Sequence, residues 1–159
     1  MSIDLDPGGK EGKVFFLKTE EDQIELEGIK RDFTSSESSE LESLVRSLLE
    51  GPTPVEAEKG YATEIPTGTR LIAFKATTDK ITLDLSQSFV SGGGSSSMIY
   101  RLDQLYRTIE SAKPSKAVYL MVEGKELKRA GGEGLLVERP FYRLEPNWLM
   151  SITKPIIKP

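Results

Sequence analysis

The sequence predicts an α/β (α+β) fold: a mixed β-sheet with two amphipathic helices packed on one face. Three observations carry this. Apolar and alternating runs of strand length are interleaved with only two stretches of helical period. One pair of strands reads as a hairpin, so the strict strand–helix alternation of a doubly wound parallel sheet is missing. The chain has 159 residues, enough for one core and cramped for two. The expected order is β-β-α-β-β-α-β plus a late strand, with residues 1–12 a flexible leader or linker, 13–142 the domain and 143–159 a Pro-rich apolar tail.

Met1 to Gly12, rich in Asp, Pro and Gly, offers nothing to bury. Val14, Phe15, Phe16 and Leu17 form a short apolar run suited to a strand buried on both faces. Ile24, Leu26 and Phe33 recur in a more polar segment interrupted by Gly28, which reads as a second, more exposed strand with a bulge. After a Ser- and Glu-rich stretch from Thr34 to Glu40 comes the clearest helix. Leu41, Leu44, Val45, Leu48 and Leu49 fall on one stripe, Ser39 and Glu42 have capping-box spacing, and Gly51-Pro52 is a stop.

Pro54 to Thr67 reads as a loop-rich connection. Leu71 to Ala76 and Ile81 to Leu85, separated by Thr77-Thr78-Asp79-Lys80, form the expected hairpin. Past Gly92, Gly93 and Gly94 and a serine run, Met98, Ile99, Leu102, Leu105, Tyr106 and Ile109 mark the second amphipathic helix, ending before Lys113-Pro114. Ala117 to Val122 is almost wholly apolar and is expected to be a central strand covered on both faces. Leu135 to Val137 supplies the late strand.

Composition removes several function classes. The net charge is -4, with 21 basic and 25 acidic residues mixed along the chain, so no basic stripe neutralises a nucleic-acid backbone. Neither a signal peptide nor a run long enough to span a bilayer is visible. There is no cysteine and no histidine. Disulfides, thiolate or imidazole metal sites, cysteine nucleophiles and a Ser-His-Asp triad are therefore excluded. No cofactor motif is present, and the expectation is a protein without enzymatic activity.

The candidate ligand loop is Gly92, Gly93, Gly94 and Ser95. A strand end, a glycine-rich turn and a helix start can offer backbone N–H groups and a positive dipole end to an anion. Against it, the loop lacks the lysine of the Walker pattern and the Gly-x-Gly-x-x-Gly spacing; glycine punctuating a loop, with serine capping the helix, is the commoner arrangement. Asp84, Glu123, Glu126 and Glu133 lie near turns with no spacing that supports acid–base or calcium chemistry, and read as solvated turn residues. Arg101 and Arg107 on the second helix, with Trp148 and Met150 in the tail, form the candidate partner surface. Packing of the tail on its own domain is the default expectation.

Several motifs in succession carry a family resemblance. Leu49-Glu50-Gly51-Pro52-Thr53, Ile65-Pro66-Thr67-Gly68-Thr69-Arg70-Leu71, Leu83-Asp84-Leu85-Ser86 with Phe89, Gly93-Gly94-Ser95 with Arg101-Leu102-Asp103-Gln104-Leu105 and Thr108, and Val122-Glu123-Gly124-Lys125 resemble the GerMN domain of bacterial sporulation and spore-germination proteins. The resemblance covers roughly residues 13 to 140. It implies a small α/β domain similar to the ring-building motif, with two helices on a mixed sheet. It further implies an extracytoplasmic domain, tethered as a lipoprotein or by a membrane helix, that assembles with other envelope proteins or with itself. No catalytic residues carry over. With no anchor in the chain, the resemblance leaves two options, a tether upstream of Met1 or none, and there is one such domain here in place of the tandem pair of some members.

Overall fold

The computed structural model describes residues 12–32 and 40–144. Strands β1 (Lys13–Glu20) and β2 (Gln23–Lys30) form an antiparallel hairpin in unbroken register from Lys13↔Lys30 to Glu20↔Gln23. Its two-residue turn, Glu21-Asp22, has both φ angles positive, at 50° and 67°. That geometry matches the twist of the paired strands. The bulge expected at Gly28 is absent. Gly28 lies opposite Phe15, and an added Cβ would stand 2.8 Å from the Phe15 ring, so the glycine makes room for an aromatic side chain and leaves the ladder intact.

Helix α1 (Glu40–Glu50) buries Leu41, Leu44, Val45 and Leu48, as its period predicts, and ends at Gly51 with φ 87°. The Ser39 half of the proposed capping box lies outside the described residues. The connection expected from Pro54 to Thr67 contains a short helix, α2 (Pro54–Glu58), capped by Thr53 and Glu56 in a reciprocal capping box. It buries nothing, so no apolar period announces it; Thr53 and Glu56 are the only local sign.

Strand β3 (Tyr61–Ala62) pairs with β1 only at Leu17 and Lys18. Strands β4 (Leu71–Ala76) and β5 (Lys80–Leu85) form the second hairpin, irregular between Leu71 and Ala73. Helix α3 (Gly94–Ala112) carries the chain across to β6 (Ala117–Val122), parallel to β5. Strands β7 (Lys125–Glu126), β8 (Arg129–Ala130) and β9 (Leu135–Leu136) are two-residue pairings.

The fold is α+β with mixed strand directions, and the strands divide into sheets ordered β2-β1-β3, β4-β5-β6-β7 and β8-β9. Helices α1 and α3 pack on each other and on β1, and α1 also reaches β4. One core joins Val14 and Phe16 of β1, the α1 stripe, Leu83 and Leu85 of β5, and Val118 and Leu120 of β6. Strand β6 is covered on one face only. Val118, Leu120 and Val122 are buried while Tyr119 and Met121 are half-buried on the open face, since both long helices lie on the other side.

Beyond β2, Arg31 donates to both oxygens of Glu56 on α2 (2.6 and 2.9 Å). These bonds, helped by Thr53 and opposed by partial burial, hold the Glu56 carboxyl at a pKa of about 2. The folded state therefore binds this proton less tightly than the unfolded one. The pair's stabilisation is complete above about pH 4.5 and is lost as the pH falls toward 2. Its ceiling is about 3 kcal/mol, and half of that or less is expected where solvent screens the pair. Urea midpoints measured from pH 5 to 2 should fall less steeply in Glu56→Gln than in the unaltered protein.

Candidate functional site

The region around the three glycines is built from α3 upward. Gly92, Gly93 and Gly94 all have positive φ (64°, 89° and 78°), three consecutive residues in a conformation that only glycine adopts without strain. The helix begins at Gly94, not at Met98, so the serine run is its first turn. Gly93 is the N-cap and no side chain caps the helix there, in contrast to the serine cap expected from the sequence.

Arg101, expected on a surface, is 3% exposed. Its Nη1 donates to the carbonyls of Phe89 and Ser91 (2.8 and 2.9 Å), its Nη2 to that of Gly92 (2.9 Å) and its Nε to Ser97 Oγ (3.2 Å). The 3-10 turn Gln87–Val90 and the glycine corner are thus closed around a guanidinium. Burial lowers the Arg101 pKa while Glu64 opposes the shift; arginine keeps its proton regardless. The concave side of the loop is filled by a cation of the chain itself.

Carboxylates of the chain also approach the first turn of α3. Ser95 Oγ donates to Glu133 (2.9 Å), and Ser97 Oγ to Glu64 (2.6 Å). Both acids lie near the end of the helix where its dipole favours negative charge.

Further along α3 the buried face is polar. Ser97, Arg101, Gln104, Thr108 and Ser111 are spaced four, three, four and three residues apart and form one stripe. Phe15 donates its N–H to Thr108 Oγ1 (3.2 Å) and accepts at its carbonyl from Gln104 Nε2 (3.1 Å), while Lys13 donates its N–H to Ser111 Oγ (2.9 Å). Gln104 also donates to Thr63 Oγ1 (2.9 Å) and accepts from Glu64 N–H (2.9 Å). Strand β3 reaches only Leu17 and Lys18, so the helix takes the place of a strand along the first half of β1 and satisfies its backbone. Thr108→Val keeps the shape and removes the acceptor for Phe15. A loss of about 1–3 kcal/mol in urea unfolding is expected from the stranded N–H.

This stripe rotates α3 away from the orientation that its apolar residues suggest. Met98, Leu105 and Ile109 are buried, Leu102 is packed against the core, and Ile99 is 49% exposed. Tyr106 packs edge-on to Phe141, with ring centroids 5.7 Å apart. Arg107 lies exposed on the same helix, so Arg101 and Arg107 do not share a surface. Trp148 and Met150 lie outside the described residues.

The turn carboxylates hold structure. Asp84 accepts from Gly124 N–H (3.0 Å), Glu123 from Gln87 N–H (2.9 Å), and Glu126 pairs with Arg139 (2.8 Å). Among the described residues no three His, Cys, Asp or Glu side chains are grouped to hold a metal ion, and no helix is long and apolar enough to cross a membrane.

What stays open is surface. Strand β2 is the outer strand of the first sheet and β4 that of the second. Each carries one exposed isoleucine, Ile24 at 50% and Ile72 at 40%.

A family model described as Germane, sporulation and spore germination, matches residues 13–128. Three solved structures are similar in fold. The tandem GerMN domains of the sporulation protein GerM from Bacillus subtilis superpose with a TM-score of 0.62 at 24% identity, over 83% of this chain and 45% of that one. The first GerMN domain of the same protein gives 0.58 at 17% identity, over 82% and 97%. A candidate lipoprotein from Clostridium perfringens gives 0.51 at 20% identity, over 76% and 78%. The chain thus spans less than half the length of the tandem protein. No curated protein matches the sequence.

Proposed function

The chain belongs to the Germane family of sporulation and spore germination, and on that premise we propose that it is a non-enzymatic assembly domain on the outer face of a bacterial cytoplasmic membrane. Its work is protein–protein contact, with other envelope proteins or with further copies of itself. One observation supports this above others: the polar groups that could do chemistry are already engaged in the fold, and the features left open are strand edges and exposed apolar side chains. Arg101, Gln104, Thr108, Asp84, Glu123 and Glu133 each hold backbone or a neighbouring side chain. The outer strands β2 and β4 have no strand partner on their far sides.

The location rests on membership and on the names of two relatives in fold, a sporulation protein and a candidate lipoprotein. Light scattering across concentration, with crosslinking in intact cells and protease accessibility of the full-length protein, tests the proposal. Concentration-dependent mass or a crosslinked envelope partner is expected. A strict monomer without crosslinks, or one protected from external protease after the outer layers are opened, would count against it. Titration with inorganic phosphate followed by amide NMR is expected to leave residues 91–98 unmoved, since Arg101 fills the loop from within.

A further inference from the structure

The described chain divides into halves of opposite charge. Residues 12–32 and 40–64 hold twelve Asp and Glu against six Lys and Arg, whereas residues 65–144 hold eight against twelve. The division follows the sheets: the acidic half contains β1, β2 and β3, and the basic half β4 to β9.

The acidic half ends in a projecting tip. Strand β3 covers β1 only at Leu17 and Lys18, so the paired residues Thr19↔Ile24 and Glu20↔Gln23 and the turn Glu21-Asp22 run on beyond it. Glu21, Asp22 and Glu25 form no ion pair among the described residues. Ile24, half exposed, sits between Asp22 and Glu25.

Beside the outer edge of β4, the side chains of Arg46, Leu49, Glu50, Arg70, Leu71 and Ile72 line an open depression of about 360 Å³. Its walls are apolar, with two arginines and one carboxylate. Arg46 is bound to Glu42 at 2.9 Å, while Arg70 is exposed and forms no ion pair among the described residues. The irregular register between Leu71 and Ala73 pushes Ile72 outward there.

We propose that the β1–β2 hairpin tip of one copy docks in this depression of a second copy. Ile24 enters against Leu49 and Ile72, and Glu25 and Asp22 face Arg70 and Arg46. The contact is heterologous: each copy keeps a free hairpin and a free depression, so association continues past the dimer. Two like ends repel, because tip meets tip as acid against acid. The inference deepens the assembly reading above and rests on its self-association arm.

Sedimentation velocity of the full chain across concentration tests it, at about 50 mM and at about 500 mM salt. The average mass is expected to rise with concentration at low salt without a plateau at two copies, and to fall toward the monomer at high salt. Arg70→Glu and Glu25→Lys are both exposed and should leave the circular dichroism spectrum unchanged. Each alone is expected to abolish association, and their equimolar mixture to restore it. Association of the unaltered chain that neither substitution weakens would overturn the docking and leave the assembly reading standing. A monomer at every concentration would overturn the docking, and with in-cell crosslinks to other proteins would still leave that reading intact.

Discussion

Arg101→Ala is expected to remove at least about 3 kcal/mol of stability, a large share of the roughly 5–15 kcal/mol that holds a typical domain together. Two losses add. The carbonyls of Phe89, Ser91 and Gly92 lose their donor. A buried polar group without its partner costs about 1–3 kcal/mol, and an interior cavity costs more again. Arg101→Lys should recover little, since an ammonium on a flexible stem cannot span three carbonyls and Ser97 Oγ as the planar fork does. Urea unfolding followed by circular dichroism measures both variants. A loss under about 1 kcal/mol in the alanine variant would show that water replaces the guanidinium without strain.

Gly93→Ala is expected to be the most damaging single methyl group in the chain. Its φ of 89° disfavours any side chain, at a cost of roughly 1–2 kcal/mol. The added Cβ also collides with Arg101 Nη2 and stands 2.9 Å from Ser97 Cβ, both parts of the buried network. Gly92 and Gly94 serve as controls within the same loop. Both have positive φ, yet a Cβ at either meets nothing within 4 Å, so their alanine variants carry the conformational cost alone. The expected order is Gly93→Ala well below Gly92→Ala and Gly94→Ala, the first losing on the order of 3 kcal/mol or more. Equal losses at the three positions would mean that backbone conformation, not contact with Arg101, decides the effect.

Arg101 and Gly93 are also where sequence reasoning fell short. Gly92 to Gly94 stand out in the sequence, and their role as a sharp corner was legible from glycine's backbone freedom. That the corner closes around a buried arginine was not, because an arginine among apolar helix positions reads as exposed unless its acceptors are known. Its acceptors are carbonyls nine to twelve residues upstream, brought within reach only when α3 folds back against the 3-10 turn.

Helix α3 shows the same limit. Its length and its end before Pro114 follow from local signals, whereas its orientation does not. Met98, Leu105 and Ile109 define one buried direction, and Ile99 and Leu102 pull the apparent stripe to one side. What turns the helix is the backbone of β1: Lys13 and Phe15 have groups that no strand satisfies, and Ser111, Thr108 and Gln104 satisfy them. These partners are 89 to 98 residues apart in the chain. No periodicity in a helix reports the needs of a distant strand edge.

By itself, then, the sequence determined the α+β class, the long helices and main strands, the family, and the chemistry that a chain without histidine or cysteine cannot perform. Those follow from local periodicity, residue type and ordered motifs. Only the tertiary structure decided that α3 buries polar residues, that the glycine corner encloses its own cation, and that an acidic hairpin tip and a basic, apolar-walled depression remain open on opposite halves. The reason is physical: hydrogen-bond satisfaction and surface exposure are properties of pairs of elements, and a single chain segment does not carry the identity of its partner.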